Sequence, residues 1–493
     1  MSAPDRQASL APPTFDSETR RRNRGVILLL LISGFVVILN ETLMGVAIPH
    51  LMRDFSVSAS AAQWLTTAFL LTVAVVIPMT GLLLQGLPTP TIFVIALSAF
   101  SLGTLACGLA PNLALLIAGR VVQAVGTAMV MPMLMTTAIK LVEPHEQGKT
   151  MGLISIVIAA APAVGPTASG IILDTLGWRW MFWLVLPIAL IVLLVGARRI
   201  HNVTRPRHIP FDLVSVALSV LGFGGVVYAL SAFGEAAAEE AAVPAWVPAL
   251  VGVVALVLFA WRQLVLGRNR RALLDLTPFR TPLFALSSAL LVFSMMGMFG
   301  VIIIMPIYVQ NLVGMNPLHT GLILLPGGLA MGLLAPVIGA LYDRFGPTLL
   351  VVPGTCLSTL ALWAMSGWTA DSPLPWILAV HVVFCLGLSA VMTPIYAASL
   401  AVLPHELHPY GGAIVGTVQQ IGGAAGTALY VAMMSSRMSA LAASGTDQTT
   451  TITGGVNAAF LGGTIIAVVA IVIALFIRRP VRIAQPAVAP VLH

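Results

Sequence analysis

Leu141-Val142-Glu143-Pro144-His145-Glu146 returns later in the chain as Val402-Leu403-Pro404-His405-Glu406. Pro144, His145, Glu146 and Gly152 recur 260 positions on, at Pro404, His405, Glu406 and Gly412. Working outward, Pro78 and Gly81 answer to Pro336 and Gly339 at an offset of 258, and Pro49 to Pro306 at 257. Offsets this steady predict two halves of one fold. Repeated halves in an apolar chain mark many secondary transporters.

The 493 residues are 58% hydrophobic and only 8% charged, against about 25% charged in an ordinary soluble domain. Helices in water have no place to hide so much apolar surface, so lipid must solvate it. Only helices and closed barrels span lipid, because every backbone polar group must find an internal partner. The apolar runs last about 20 residues rather than showing ten-residue alternation, which selects helices. Cys107, Cys356 and Cys385 lie inside apolar runs without ligand spacing and read as packing residues, so no metal site is expected.

Fourteen spans fit, at about 26–51, 63–85, 91–110, 113–139, 149–173, 179–199, 212–232, 245–266, 282–310, 320–342, 348–367, 375–400, 411–433 and 457–478. Of the 24 Lys and Arg residues, 20 then fall on one side, three (Arg53, Arg179, Arg437) on the other, and Arg120 within a span. That asymmetry orients the chain with both termini cytoplasmic in a cell membrane. It also accounts for the net charge of +7 without a nucleic-acid partner. The stretch Gly234–Ala242, with Glu235, Glu239 and Glu240, falls outside. Spans 1–6 match spans 9–14, and spans 7 and 8 are inserted. The predicted organisation is a disordered cytoplasmic tail (1–24), a six-helix bundle (25–200), an inserted pair with linkers (201–281), a second six-helix bundle (282–479) and a C-terminal tail (480–493). Both bundles start on the same side, which makes them parallel repeats about an axis along the membrane normal.

Four motifs carry a family resemblance. Span 1 holds Leu39-Asn40-Glu41-Thr42-Leu43-Met44-Gly45-Val46-Ala47-Ile48-Pro49, and span 4 holds Gly119-Arg120-Val121-Val122-Gln123-Ala124-Val125-Gly126. Span 5 holds Gly165-Pro166-Thr167-Ala168-Ser169-Gly170, followed by Gly177-Trp178-Arg179-Trp180. Together these resemble the major facilitator superfamily, in its 14-helix drug:proton antiporter branch, nearest to lincomycin-resistance-type multidrug exporters. The resemblance covers about Arg24 to Arg479. It implies an all-α integral membrane protein with two six-helix bundles and two inserted helices. It also implies an acid in span 1, here Glu41 rather than the Asp usual one place earlier, at Asn40. The family's loop motif is nearly lost after span 2. Its second copy keeps Gly339, Asp343, Arg344 and Gly346, which implies a conformational latch that is weaker or made mostly by the second half.

The chemistry of single residues points the same way. Glu41 lies about sixteen residues into span 1, where a charge costs about 2.5–3.5 kcal/mol. An acid in such a place can take a proton from one face and release it to the other when a cation arrives. The alternative is a neutral acid bonded to Asn40 or a neighbouring helix. Arg120, the only cation deep in a span, either modulates proton affinity at Glu41 or pins span 4; Gln123, at i+3, orients it or touches substrate. Gly165, Pro166 and Gly170 permit close packing and a fixed bend at a rocking interface.

A substrate cavity is expected at mid-depth between the halves. Its candidate liners are Asn40, Gln63, Trp64, Gln123, Met295, Met298, Tyr308, Gln310, Asn311, Tyr396, Gln419 and Gln420. Gln63 and Trp64 have an interfacial anchor as their alternative. His381 reads as a bonded core residue rather than a proton carrier.

No Gly-x-x-x-x-Gly-Lys loop, Gly-x-Ser-x-Gly elbow or His-Glu-x-x-His occurs. No enzyme and no cofactor is expected, and energy must come from an ion gradient. The expected function is proton-coupled export of amphiphilic or cationic small-molecule drugs by a monomer bathed in membrane lipids. Two alternatives are a dedicated exporter of one metabolite, antibiotic or lipid, and a non-transporting membrane sensor or assembly factor.

Overall fold

The computed structural model describes residues 16–143, 147–202, 212–236, 244–267, 272–404 and 407–477. Several residues weighed above lie outside them: Pro144–Glu146, His405, Glu406, Glu239, Glu240 and both outermost tails, together with Arg205, Arg207, Arg268, Arg270, Arg271, Arg478, Arg479 and Arg482 from the count of 20 basic residues.

Fourteen long helices follow in order: α1 (Ser17–Asp54), α2 (Trp64–Gly86), α3 (Thr89–Leu109), α4 (Leu113–Leu141), α5 (Gln147–Thr175), α6 (Trp180–Arg199), α7 (Leu213–Ala236), α8 (Trp246–Gly267), α9 (Pro282–Asn311), α10 (Pro317–Phe345), α11 (Thr348–Met365), α12 (Leu374–Ala401), α13 (His408–Ala443) and α14 (Gln448–Leu475). No strand occurs among the described residues. Among the described residues, twelve helices are long and apolar enough to cross a membrane. Helices α5 and α13 stand at the junction of the halves, and α13 is rich in glycine and hydroxyl residues. The outward surface is apolar, with Ile191, Leu194, Val257 and Leu333 each more than 60% exposed. That surface requires acyl chains around it, and the protein is a multi-pass membrane protein.

The same helix pairs pack in both halves. The pairs α1–α5, α2–α4, α3–α4 and α3–α6 reappear as α9–α13, α10–α12, α11–α12 and α11–α14. Across the junction α5 meets α10 and α13 meets α2, which are likewise equivalent pairs. Near the axis α1 touches α9: a Cβ on Gly45 would lie 2.8 Å from the Ile302 side chain and 3.1 Å from its carbonyl oxygen. Gly45 and Ile302 are 257 apart, the offset of Pro49 and Pro306. Equivalent positions can touch only close to a two-fold axis. Pro306 has no N–H for the Ile302 carbonyl, which frees that turn.

The inserted pair α7–α8 braces α13 and α2 from outside. Gly225 and Gly252 bring the two helices together: a Cβ on Gly225 would sit 2.8 Å from the Gly252 Cα. At one end Arg262 donates to both Asp212 oxygens at 2.8 Å. Buried Gln263 donates to Ser215 at 2.7 Å and accepts from the Leu274 N–H at 3.0 Å. The Arg262 fork holds the Asp212 carboxyl at about 2, below the usual carboxylate range. A depressed folded value gives stability that is complete above pH about 4 and is lost as pH falls to about 2. Asp212→Asn is therefore expected to cost about 1 kcal/mol of local stability at pH 7 and nothing near pH 2. Hydrogen exchange of residues 213–267 between pH 6 and 2.5 measures it; equal protection in both proteins throughout would contradict the assignment.

Two boundaries differ from expectation. Ser17–Arg24, expected in a disordered tail, form the first turns of α1. Asp16 accepts from the Thr19 N–H at 3.2 Å, Arg20 pairs with Glu143 at 3.1 Å, and buried Asn23 donates to the Leu141 carbonyl at 3.1 Å. These partners satisfy a helix end that hydropathy alone does not reveal. Likewise α13 runs ten residues past the expected 433 and α14 starts nine before 457. The polar run between them is helical because Gly445 ends one helix at φ +77° and Asp447 caps the next. Arg437 thus lies within α13, not in a loop.

Candidate functional site

Helices α1, α5, α9, α10, α12 and α13 enclose a cavity of about 200 Å³ between the halves. Glu41, Thr42 and Pro166 come from the first half; Met295, Met298, Phe299, Met331, Gln419 and Gln420 come from the second. Glu41 is half-buried and its carboxyl faces Gln420 across the junction. The site therefore joins one acid from one half to amides, thioethers and aromatic rings from the other. Such walls accept a cation through the acid and an apolar body through Met and Phe.

Behind Glu41 lies a fully buried polar network. Arg120 on α4 donates through Nη1 to Asn40 Oδ1 at 2.8 Å and to Gln123 Oε1 at 2.7 Å, and through Nε to the Leu65 carbonyl at 3.4 Å. Gln123 donates onward to Thr104 at 2.7 Å. The guanidinium lies 4.0 Å from the Phe69 ring centroid. Its Nη2 has no partner among the described residues. A permanent cation is thus held by neutral dipoles, with Glu41 the carboxylate that acts on it electrostatically. Gly103 and Gly126 make room, since a Cβ on either would fall 2.3 Å from neighbouring backbone.

The junction closes at the face opposite the two chain ends. Gln310 donates to the Val46 carbonyl at 3.0 Å, its Oε1 lies 3.2 Å from His50 Nδ1, and Thr167 donates to the Gly321 carbonyl at 3.0 Å. These hydrogen bonds cross the junction between the halves at that face. Gly170 and Gly321 permit the α5–α10 contact: their Cβ atoms would lie 2.4 Å from Pro317 O and 2.6 Å from Pro166 O. Gly165 leaves room for Thr42, whose Oγ1 would be 2.1 Å from a Cβ there. Ser169 stands where the family pattern has glycine and ties α5 to α1 by donating to the Leu43 carbonyl at 2.7 Å. Gly170→Val is expected to cost the closed contact about 1–3 kcal/mol. Crosslinking by a short dithiol-reactive reagent between cysteines placed at His50 and Gln310, whose side chains meet on the same closed face, would fall sharply; undiminished crosslinking would refute the close approach. The Trp178–Arg179 motif also has a structural task. Trp178 donates to Asp54 at 2.8 Å and Arg179 to the Ala110 carbonyl at 3.1 Å, pinning α1 and α3 to the start of α6.

Of the expected liners, Met295, Met298, Gln419 and Gln420 reach the cavity and the others do not. Asn40 and Gln123 turn inward to Arg120. Gln63 is buried at the start of α2, and Trp64 packs on Tyr228 of α7 with centroids 5.9 Å apart. Tyr308 donates to the Thr369 carbonyl at 2.8 Å and stacks on Trp368. Gln310 belongs to the closed face, Asn311 is exposed at the end of α9, and Tyr396 is 42% exposed. Asp343 and Arg344 are exposed at the end of α10, Gly339 meets nothing within 4 Å, and Gly346 stops the helix at φ +79°. Thr42, Phe299, Phe384 and Met331 line the cavity without any sequence signal beyond position in a span. Phe69 and the Leu65 carbonyl hold Arg120, Thr104 holds Gln123, and no pattern announced them.

Two parallel six-helix bundles around one mid-depth cavity, with an ionisable group on its wall, define a secondary membrane transporter. The model of the Major Facilitator Superfamily matches residues 30–427, and the chain belongs to that family. It is 40% identical over 459 residues to the lincomycin resistance protein LmrB of Listeria monocytogenes, covering 92% of this chain and 96% of that one. It is 38% identical to the uncharacterized MFS-type transporter YcnB of Bacillus subtilis, covering 95% and 98%. A multidrug resistance protein B homolog of Mycobacterium tuberculosis is 29% identical, covering 83% and 75%. Among solved structures, a bacterial homologue of the human lysosomal transporter Spinster, inward-facing and unoccupied, matches with TM-score 0.68 at 15% identity, covering 92% and 96%. A D-xylose–proton symporter matches at 0.65 and 13%, covering 92% and 98%. These last two share the fold.

Proposed function

We propose that the protein is a proton-coupled exporter of amphiphilic or cationic drugs, working by alternating access as a monomer in the cell membrane with both termini cytoplasmic. The reading rests on one observation above the rest: the Glu41 carboxyl stands on the wall of the junctional cavity, opposite Gln420 of the other half. A proton and a cation compete for such a group, since each neutralises the same charge in a medium that penalises it. Relatives named for lincomycin and multidrug resistance support drugs as the cargo. The basic loops support the orientation.

Proton release on ligand addition tests the reading. Purified protein in weak buffer at pH 7 is titrated with ethidium, and the released protons are counted with a pH indicator. Glu41→Gln is expected to release one proton fewer per ethidium bound. Equal release from the two proteins would remove Glu41 from the exchange.

A further inference from the structure

His381 on α12 also lines the cavity, and at 5% exposure it is nearly buried. Its Nε2 lies 3.7 Å from Cys385 Sγ, the Leu324 carbonyl hydrogen-bonds the ring, and Nδ1 has no partner among the described residues. A buried, unpartnered ring nitrogen beside a mid-membrane cavity is costly and calls for a functional account.

The repeat supplies one. Helices α4 and α12 begin 261 residues apart, at Leu113 and Leu374, and Gly126 and Gly387 stand at the same offset. Both glycines pack against the preceding helix of their own half: their Cβ atoms would fall 2.3 Å from Ala96 O and 2.6 Å from Ser358 N. At this offset Arg120 corresponds to His381. At the α1–α9 offset of 257, Glu41 corresponds to Met298. The first half thus holds an acid and a permanent cation. The second holds, at the cation's place, a base whose charge can come and go. Arg120 is screened from the cavity by Asn40 and Gln123, whereas His381 is on the wall.

The ring's surroundings hold little other charge. Neighbouring α10 presents Leu324, Gly328 and Met331, with Gly327 packed against the ring, α9 presents Met295, Met298 and Phe299, and α13 presents Gln419 and Gln420. None is titratable. From α11 the one titratable group is Cys356, which is exposed on the outer surface. On α12 itself there is Cys385, and across the cavity there is Glu41.

We propose that His381 is a second proton-binding site, so that each transport cycle exchanges two protons for one drug cation. The proposal rests on the exporter reading above. In the proton-loaded cavity Glu41 is the neutral acid and His381 the imidazolium, a net charge of +1. In the drug-loaded cavity Glu41 is ionised, His381 is neutral and the drug supplies the cation, a net charge of zero. An imidazolium expels a cation from the shared cavity, and a bound cation expels the proton from the imidazole. One positive charge therefore moves inward with each drug exported.

The test uses proteoliposomes with an acidic lumen, their membrane potential clamped at zero with potassium and valinomycin, taking up ethidium. Across a difference of about one pH unit the limiting accumulation is about 100-fold for two protons per cation and about 10-fold for one. The wild type is expected to approach the first value and His381→Gln the second. Equal limits in the two proteins would overturn the proposal whichever value they shared. No proton-driven uptake by the wild type would instead overturn the exporter reading. Ethidium binding at pH 8.5, where both groups are to be proton-free, checks that His381→Gln folds. Proton release from the purified wild type gives an independent measure: more than one proton per ethidium supports the second site, and one or fewer excludes it.

Discussion

Glu41→Gln is expected to lower proton-driven drug efflux sharply, removing the proton carried at Glu41, while leaving drug–drug exchange intact. The substitution preserves shape and the capacity to hydrogen-bond Gln420 but fixes the site in the neutral form. A site fixed in the neutral form has no proton to trade, so any exchange left falls to His381, yet the carrier can still alternate with drug on both faces. Cationic drugs should also bind about 10- to 100-fold more weakly, the cost of removing a charged partner from a site shielded from water. Neutral drugs should lose far less. Flux in vesicles with and without a pH gradient, together with counterflow against loaded drug, separates the two effects. Full gradient-dependent efflux by the variant would end the assignment of Glu41. The prediction depends on the carboxyl being on the cavity wall, where both halves reach it.

Arg120→Ala is expected to disable the protein more broadly. It deletes a side chain with no exposure, leaving the Asn40 and Gln123 oxygens without their donor and a gap against Phe69. Removing one member of a buried charged network costs about 3–5 kcal/mol, a large share of ordinary stability. The expected result is a marked fall in thermal midpoint, and transport at background. Arg120→Lys is the sharper variant. An ammonium keeps the charge but not the planar fork that reaches Asn40, Gln123 and Leu65 together. Folding should largely survive, with transport strongly reduced, because the fork positions Asn40 next to Glu41. Wild-type flux with lysine would show that charge alone suffices there; a collapse in stability with lysine equal to that with alanine would leave Arg120 a pin and nothing more.

The sequence and the structure meet closely at the level of helices and diverge at the level of faces. Pro49 and Pro306, Gly81 and Gly339 revealed the repeat because proline and glycine are constrained by backbone geometry, which each half imposes alike. Twelve of the fourteen helix starts lie within three residues of the expected spans. α1 and α14 are the exceptions, because caps and hydroxyl-rich turns extend helices beyond the apolar core. The candidate site was less legible. Met295 and Met298 reached the cavity, but Tyr308 and Gln310, about three to four turns further along the same helix, did not. Span membership says nothing of depth or of the neighbour that covers a side chain. Arg120 was expected to modulate Glu41 or to pin span 4; its direct partners are the amide oxygens of Asn40 and Gln123 and the Leu65 carbonyl. His381, read as a bonded core residue, is on the cavity wall, and its Nδ1 has no partner among the described residues.

The chain's own order of residues therefore decided that it lives in lipid, crosses it repeatedly and is built twice over. Hydropathy is a sum over neighbours in sequence, and a duplicated backbone repeats its prolines and glycines. Only the packed bundle decided which polar groups meet: Asn40 with Arg120, Glu41 opposite Gln420, Gln310 with Val46, His381 beside the cavity. Adjacent residues on a helix point about 100° apart, so a one-residue step such as Asn40 to Glu41 sends one side chain into the bundle and the other into the junction. That choice is fixed by how fourteen helices pack against one another.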